Sequence, residues 1–299
     1  MRKLTFMYAV LVLSVLCIIA SCEKPLLDEE ELEEVDGNLK VSVYEMEKTP
    51  FGNSTHEVNS TSNRAAASLT CTHLNFAVYT MDGTRVKQVN QTSDTSNFGK
   101  AGFQLEEGDY LLVVVGHSSG GNPTMTDPTC IKFTNSQGFS DTFLCSAVVS
   151  IGDEPVEKSV SLDRIVSLCR FVITDDFPAD VKKMRFYYTG GSGAFDATTG
   201  LGCVNSKQDV KFDVTAEQKQ FDLYTFLHDT EGTIHLTVTA FDASGNIYAE
   251  REFDVPMHQN YITWLTGAFF DGTGGSSSSG GITVIGVNTD WAGETHLTF

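Results

Sequence analysis

The sequence is poor in positive charge and lacks several of the motifs on which catalysis depends. It has 20 Lys and Arg against 39 Asp and Glu, and hence a formal net charge of −19. Surfaces that bind nucleic acid need clustered basic residues, so this balance excludes nucleic acid as a partner. The HExxH zinc motif, the P-loop and the GxGxxG loop are all absent. We therefore expect a protein that is not an enzyme and that has neither a metal nor a cofactor.

The remaining polar residues do not have the spacing of a catalytic or metal site. The seven histidines do not cluster with carboxylates, and no CxxC pair occurs. Residues 242–246 (DASGN) lack the alternating oxygen ligands and closing glutamate of a calcium loop, and they predict a hairpin turn. Asp175 and Asp176 are adjacent in sequence, so in a strand they point to opposite faces and cannot act as a glycosidase pair.

The first 22 residues have the organisation of a bacterial lipoprotein signal. Two basic residues precede an apolar stretch at residues 6–19, and the sequence then reads IASC. Such a stretch is too short to span a bilayer stably, and the small residues indicate cleavage between Ser21 and Cys22. We predict that residues 1–21 are removed and that Cys22 receives the lipid. The alternative is an ordinary signal peptide with a coincidental cysteine.

The mature chain is more acidic than the whole sequence. Removal of residues 1–21 takes away two basic residues, so 18 Lys and Arg stand against 39 Asp and Glu, a formal charge of −21. No other segment approaches the roughly 18 apolar residues of a membrane span, so attachment to the outer membrane is expected through the lipid alone. Residues 22–37 are predicted to be an acidic tether. Its acidic run at 28–34 either spaces the fold from the membrane or marks it for display outside the cell.

The cysteine content leaves the question of disulfides open. Cys17 is lost with the signal, which leaves five cysteines besides the acylated one. An odd number cannot all pair within one chain. Free cysteines in strand-like runs usually act as small buried apolar groups. Core packing and a disulfide are both compatible with the sequence for Cys71, Cys130, Cys145, Cys169 and Cys203.

From Leu39 onward the hydrophobic pattern is typical of β-strands. Leu39, Val41 and Val43 alternate with other residues, which is the period of a half-buried strand. An Asp82-Gly83 turn between two strand-like runs predicts a short hairpin. Neither half of the chain shows a sustained 3.6-residue period, so little helix is expected.

The strand-like runs fall into two groups. A polar segment at residues 152–158 (GDEPVEK) separates them and is the best candidate boundary. Both groups repeat strands and turns at the spacing of β-sandwiches. We predict an all-β protein with an N-terminal sandwich at residues 38–155 and a C-terminal sandwich at residues 156–299.

The C-terminal residues combine a flexible linker with a strand-like tail. Residues 272–281 (GTGGSSSSGG) are a linker by composition. The tail at residues 282–299 begins with apolar residues on both faces of a strand, and such a strand needs cover on both sides. The tail therefore either folds back as the last strand of its own domain or is donated to another protein. The candidate donor residues are Ile282, Val284, Ile285 and Val287.

The order of these segments resembles the FimB-type fimbrial anchor and accessory subunits of Bacteroidales, which are lipoprotein components of type V-like fimbriae. In that family the second domain opens with a strand that bears an arginine within an apolar run, here Arg164 in the run that ends at Val172. A later VP…NYxTxLxGxF segment is similar to residues 255–269. The first domain matches in pattern only, and the Gly/Ser linker departs from the family pattern.

This resemblance implies two tandem transthyretin-like β-sandwiches and a role in surface fimbriae. In the stalk subunits of such fimbriae, arginine-specific proteolysis removes an N-terminal strand and opens a groove that a neighbour's strand fills. Here no arginine lies between Cys22 and Arg64, and a cut at Arg64 would sever the lipid anchor from the fold. The expected subunit therefore keeps its own first strand and gives a strand instead.

The expected function is to anchor or terminate a fimbria at the outer membrane by β-strand addition. The expected partners are a fimbrial stalk subunit (fimbrillin), other accessory subunits, and the outer membrane through the lipid. A tip or accessory adhesin remains an alternative, because it shares the fold. A surface glycan-binding lipoprotein is a second alternative, although it would need a platform of exposed aromatic residues. Trp264 and Trp291 are the only tryptophans.

Overall fold

The described part of the chain consists of β-strands and the turns between them. The computed structural model describes residues 35–46, 71–134, 139–215, 217–271 and 292–299. These ranges contain eighteen strands and no α-helix, which confirms the predicted all-β fold class. None of the described residues forms a helix that is long and apolar enough to cross a membrane. In chain order the strands are β1 (Leu39–Met46), β2 (His73–Thr80), β3 (Arg85–Thr92), β4 (Lys100–Phe103), β5 (Gly108–His117), β6 (Ile131–Lys132), β7 (Thr142–Ile151), β8 (Val156–Arg164), β9 (Ser167–Ile173), β10 (Val181–Gly191), β11 (Ala194–Asp196), β12 (Leu201–Gly202), β13 (Ser206–Asp213), β14 (Gln220–Thr225), β15 (Glu231–Asp242), β16 (Ile247–His258), β17 (Tyr261–Gly267) and β18 (Gly293–Thr298).

Seven strands form the first sheet, in the order β3-β2-β5-β7-β8-β1-β4. Its neighbouring strands are antiparallel, except that β1 and β8 run parallel. The central strands β2 and β5 are apolar on both faces. Phe76 and Val114 enter one hydrophobic core, whereas Ala77 and Val113 enter another. Strands of this composition need cover on both sides, and the sheet therefore has a core on each face.

Two four-stranded sheets form a β-sandwich in the second half of the chain. Their strand orders are β13-β10-β15-β16 and β14-β9-β17-β18. The inner faces of the two sheets share one core. In this core Phe186 of β10 lies with its ring centroid 5.5 Å from that of Phe171 and 4.9 Å from that of Phe221. Aromatic pairs at such distances add to the free energy gained by burial alone.

A third core joins the first sheet to the sandwich. Leu168 of β9 and Ile262 of β17 point away from the inside of the sandwich and pack in one cluster with Val113 and Val115 of β5. The outer face of one sandwich sheet is thus covered by the first sheet. The described residues between Val35 and Phe299 belong to one compact unit.

The chain passes from the first sheet to the sandwich after β8. The polar segment at 152–158 contains the turn between β7 and β8 and the first residues of β8. β8 pairs with β1 and β7, both in the first sheet, and its Val160 and Leu162 side chains fill the first core. β9 is the next strand, and its partners are β14 and β17 of the sandwich. The change of partners therefore lies between Arg164 and Ser167.

Candidate functional site

The first strand of the fold occupies an inner position in its own sheet. β1 lies between β4 and β8, with four antiparallel residue pairs on one side and seven parallel pairs on the other. The Leu39 and Val41 side chains are fully buried in the core on one face of the sheet. The alternation of these residues in the sequence predicts this burial. We call the position between β4 and β8 the first-strand slot.

The residues before β1 extend its pairing with the neighbouring segment. The Asn38 side chain donates from Nδ2 to the Leu105 carbonyl oxygen at 2.8 Å, and its Oδ1 accepts the Leu105 backbone N–H at 2.9 Å. The backbone of Asp36 passes so close to Gly102 that a Cβ on Gly102 would lie 2.0 Å from the Asp36 carbonyl oxygen. Glycine is therefore required at this position if β1 is to enter the slot.

The C-terminal strand completes the sandwich of its own chain. β18 pairs in parallel with β17 over six residues, from Tyr261 opposite Gly293 to Thr266 opposite Thr298. Residues 293–298 of the tail therefore fold back onto their own domain, which is one of the two alternatives that the sequence leaves open. The candidate donor residues of the tail, Ile282, Val284, Ile285 and Val287, lie outside the described residues.

A ladder of side chains crosses all four strands of this sheet and holds β18 in register. Asp222, Arg170, Trp264 and His296 are successive neighbours on β14, β9, β17 and β18. The Arg170 guanidinium donates two hydrogen bonds to the Asp222 carboxylate, each with an N···O distance of 2.7 Å. The Arg170 guanidinium carbon lies 4.9 Å from the Trp264 ring centroid, and the His296 ring stacks on Trp264 at 5.4 Å. Charged, cation–π and stacking contacts thus link each strand to the next.

The last residue anchors the end of β18 in the core. The Phe299 ring lies 5.0 Å from that of Phe171 and 4.7 Å from that of Phe253, between ring centroids. The Arg251 guanidinium lies 4.8 Å from the Phe299 ring centroid. Gly267 of β17 allows this approach, because a Cβ there would lie 2.2 Å from the Phe299 carbonyl oxygen. Residues 293–299 are therefore integral to the sandwich.

Trp264 does not provide a platform on which a sugar ring could stack. Because β17 lies between β9 and β18, Arg170 and His296 contact the Trp264 ring from opposite sides. Both faces of the indole are therefore occupied by the chain's own side chains. Trp291 lies outside the described residues. The glycan-binding alternative therefore gains no support from Trp264.

The sequence contains one motif of a catalytic type that is not among the expected site residues. Residues 116–120 read GHSSG and match the GxSxG pattern of a nucleophile elbow. The segment begins with the last two residues of β5, as in an elbow, but residues 118–123 form a loop instead of a helix. The Ser118 Oγ accepts the Thr72 backbone N–H at 3.2 Å, and the Ser118 backbone N–H donates to Ser140 Oγ at 2.8 Å.

The histidine of this motif is not arranged as a catalytic base. His117 is fully buried, and its Nε2 is bonded to the Asn75 amide oxygen at 2.8 Å. Its ring stacks on His73 with the centroids 5.0 Å apart. Burial, together with a smaller effect of the neighbouring His73, lowers the pKa of His117 to about 4. A catalytic triad needs a carboxylate to orient its histidine, whereas this ring is held by an amide, so the match with the elbow is one of sequence only.

The acidic residues weighed as catalytic or calcium ligands have structural roles. The Asp175 carboxylate accepts backbone N–H groups of Phe269, Phe270 and Asp271 at the end of β17. Burial alone would raise the pKa of Asp175, but these three bonds outweigh it and lower the pKa. Asp176 instead pairs with Lys219 at 2.8 Å. In the described ranges no three His, Cys, Asp or Glu side chains are grouped as metal ligands.

The DASGN segment forms the hairpin turn that the sequence predicts. The Asp242 carboxylate accepts the backbone N–H groups of Ser244 and Asn246, each at 2.8 Å. Gly245 has a φ of 83°, a conformation that glycine adopts without strain. The oxygen atoms of Asp242 are thus used to close the turn between β15 and β16.

The predicted lipidation site lies outside the described residues. Ser21 and Cys22 belong to residues 1–34, of which no structure is described. Lipidation of Cys22 therefore stays a prediction from the sequence. The described fold begins at Val35, 13 residues after Cys22.

Comparison with protein families gives one match. The model of DUF6562, a family of unknown function, matches residues 124–298, which is more than half of the chain. The matched region runs from the loop before β6 to the end of β18. No curated protein matches the sequence.

Several solved structures are similar at low sequence identity. A candidate adhesin from Bacteroides ovatus ATCC 8483 is 13% identical, with a TM-score of 0.47 over 72% of this chain and 82% of that one. The fimbrial anchor protein Mfa2 from Porphyromonas gingivalis is 12% identical, with a TM-score of 0.38 over 71% and 80% of the two chains. A fimbrial assembly protein from Parabacteroides distasonis ATCC 8503 is 12% identical, with a TM-score of 0.39 over 77% and 90%. Similarities of this size do not assign a function.

Proposed function

The chain belongs to DUF6562, a family of unknown function, and we propose that it is a non-catalytic surface lipoprotein that anchors or terminates a fimbria at the outer membrane. The observation that supports this proposal most directly is the inner position of β1. A subunit that accepts a neighbour's strand needs an open edge or groove. Here the first-strand slot is filled by the chain's own β1, which is paired on both sides.

A filled slot makes this subunit an end of the polymer. The slot cannot accept a further strand while β1 remains in it, because both of its neighbours, β4 and β8, are already bonded to β1. Leu39 and Val41 also occupy the apolar positions that a donated strand would use. Burial of each of these side chains stabilises the filled state by about 1.5–3 kcal/mol. Growth by strand addition at this slot would therefore stop here.

The proposed lipid lies at the same end of the chain as β1. Cys22 precedes Leu39 by 17 residues, and an extended chain of this length spans at most about 60 Å. The tether would thus connect the membrane directly to the strand that fills the slot. A force that pulls on the fimbria would act on β1, and the residue pairs between β1 and its two neighbouring strands would resist it. This arrangement suits a base subunit better than a tip subunit, which is not tied to the membrane.

The chain would join the stalk by giving a strand from the segment before β18. The Asp271 N–H is bonded to Asp175, and the Ala292 N–H donates to the Asn260 carbonyl oxygen at 2.8 Å, so the described residues on either side of 272–291 are bonded to the sandwich. β17 and β18 are parallel neighbours, and residues 272–291 lie between them in the sequence. We propose that Ile282–Val287 pairs with the first stalk subunit while β18 stays in place.

The proposal is tested in a fimbriated host that lacks the chromosomal copy of this protein. Re-expression of the natural chain should keep fimbriae on the cells, whereas the Cys22→Ala variant should leave them in the medium with this protein bound at one end. Immunogold labelling of cell-bound fimbriae should place the natural chain at the membrane end. Label at the free end would favour the tip adhesin instead. Normal retention of fimbriae by cells without the protein would contradict an anchoring role.

A further inference from the structure

Two cysteines from distant parts of the sequence lie side by side. The Sγ atoms of Cys130 and Cys203 are 3.0 Å apart, although the residues are 73 positions apart in the chain. Cys203 is exposed and Cys130 is half-buried, so reagents can reach the pair. An S–S bond is about 2.05 Å long, and its formation needs the sulfurs to move only about 1 Å closer. We infer that Cys130 and Cys203 form a disulfide when the protein is in an oxidising compartment.

The backbone holds both cysteines in position before any bond forms. The Cys130 N–H donates to the Asp127 carbonyl oxygen at 3.1 Å. The Asp127 carboxylate in turn accepts the N–H and Oγ–H of Thr129, at 2.9 and 2.8 Å. The Cys203 N–H donates to the Ala194 carbonyl oxygen, also at 3.1 Å. Little conformational entropy is then lost when the bond closes, which favours this pair over others.

The other three cysteines are placed for packing. Cys71 and Cys169 are buried in the cores of the first sheet and the sandwich, respectively. Both side chains are buried, so neither an oxidant nor another thiol can reach them. Cys145 lies on β7 and packs against the first core. Disulfide formation should accordingly involve Cys130 and Cys203 alone.

The bond would cross-link the two halves of the fold. Cys130 immediately precedes β6, which comes from the first half, and Cys203 immediately follows β12, which comes from the second. The strands β12, β11 and β6 form a small three-stranded sheet. Only two residue pairs join β6 to β11, and two join β11 to β12. A covalent bond would reinforce this short connection and would also restrict the unfolded chain.

This role rests partly on the proposed function. In a fimbrial anchor, a load applied to the sandwich must pass through the first sheet to reach the tether. The third core and the small sheet carry that load by non-covalent contacts. The Cys130–Cys203 bond would add a covalent path between the same two parts.

The oxidation requires an acceptor for two electrons, such as a dithiol oxidase of the envelope or oxidised glutathione. With oxidised glutathione, Cys203, the more exposed of the two, loses its proton and attacks one sulfur of the oxidant, which releases one reduced glutathione and leaves a mixed disulfide. The Cys130 thiolate then attacks the Cys203 sulfur and releases the second reduced glutathione. Two thiols lose two protons and two electrons, and one S–S bond replaces the S–S bond of the oxidant.

The test counts free thiols in the full chain isolated from cell envelopes. Thiols are trapped with a maleimide under acid quench, and the denatured protein is digested with trypsin. Each of the five cysteines falls in a different tryptic peptide, with Cys130 in residues 101–132 and Cys203 in residues 186–207. We expect three trapped thiols and one cross-link between these two peptides, with a mass about 2 Da below that of the separate peptides.

Two variants provide matched controls. The Cys145→Ser variant should keep the cross-link and show two trapped thiols, whereas the Cys203→Ser variant should lose the cross-link and show four. Purified protein incubated with oxidised glutathione supplies a second arm. Five trapped thiols in both arms, or a cross-link between other cysteines, would overturn the inference. Five thiols in the envelope sample together with a Cys130–Cys203 link in the glutathione arm would support the pair and count against the proposed export.

Discussion

Asn38 shows how a single side chain extends a strand beyond its backbone. Its amide group makes the donor and acceptor bonds to Leu105 that a backbone peptide would otherwise make. Asn is common in turns, so the sequence would assign it to the loop before β1. In the structure it instead locks the entry of β1 into the first-strand slot. Loss of either bond would leave a Leu105 backbone group without its partner and weaken the slot by about 1–2 kcal/mol.

His117 makes the stability of the fold depend on pH. Its pKa is lowered by burial to about 4 in the folded protein, whereas an unfolded histidine has a pKa of about 6.5. Between these values the unfolded chain binds a proton that the folded chain does not. The stabilisation is therefore complete above about pH 6.5 and is lost as the pH falls toward 4.

We predict that the free energy of unfolding falls by about 2 kcal/mol more in the natural protein than in the His117→Gln variant between pH 7 and pH 4.5. Glutamine can still donate to Asn75 but does not titrate. Urea unfolding at both pH values measures the difference. His228→Gln serves as the control, because it makes the same substitution at an exposed histidine. Equal losses in the natural protein and in His117→Gln would show that His117 is not the titrating group.

Among the strands, β18 combines two properties that could not be predicted together from its sequence. It is an edge strand, and edge strands can pair with other chains. It is also fixed by the Asp222–Arg170–Trp264–His296 ladder and by Phe299 in the core. These contacts make β18 costly to remove. The proposed donor is therefore the segment before it, which can be changed without loss of the β18 contacts.

Truncation distinguishes the two parts of the tail. A chain that ends at residue 291 loses β18 and the burial of Leu297 and Phe299. We expect its free energy of unfolding to fall by at least about 3 kcal/mol, as measured in urea. A truncated chain as stable as the natural one would show that β18 is not part of the sandwich in solution.

A charge pair tests the donor segment without truncation. The variant with Ile282→Asp and Val284→Asp should fold with the stability of the natural chain but fail to keep fimbriae on cells, because charges replace one apolar face of the strand. The control carries the same two added charges in the linker, as Ser276→Asp and Ser278→Asp, and should retain fimbriae. Retention by the first variant would place the stalk contact elsewhere.

At the scale of the whole molecule, the first-strand slot joins the tether to the folded body. β1 is connected to β2 through residues 47–70, which lie outside the described residues. The body is nevertheless held to β1 by pairs with two strands and by a shared core. A break in the chain between β1 and β2 would leave these contacts in place, so the pairing of β1 changes the expectation that a cut at Arg64 severs the lipid anchor from the fold.

We predict that cleavage at Arg64 by an arginine-specific protease leaves the body on the membrane in native buffer and that urea then releases it. A Val41→Asp background should release the body on cleavage without urea, because Val41 is buried in the slot. Tyr44→Asp is the matched control, since Tyr44 lies on the same strand but is exposed. Fractionation and immunoblotting report the outcome. Immediate release of the natural protein would show that the slot contributes little to attachment.

Much of the local structure could be predicted from the sequence. The alternation at Leu39 and Val41 predicted a half-buried strand, and residues 242–246 predicted a hairpin turn. Both signals are local, because they depend on side-chain period and on residues that favour tight turns. The signals did not show that β8 pairs with β1, more than a hundred residues away. The alternation of side chains every two residues shows which of them share a face of the strand. It does not show which other strand lies alongside.

The sequence by itself determined that the protein is built from strands, that it has a strongly acidic surface, and that its N-terminus has the pattern of a lipoprotein signal. Only the tertiary structure decided that β1 fills its own slot, that β18 belongs to its own sandwich, and that Cys130 lies beside Cys203. The physical reason is that composition and periodicity act within a few residues. Strand partners and thiol neighbours are chosen by burial of apolar faces between segments far apart in the chain.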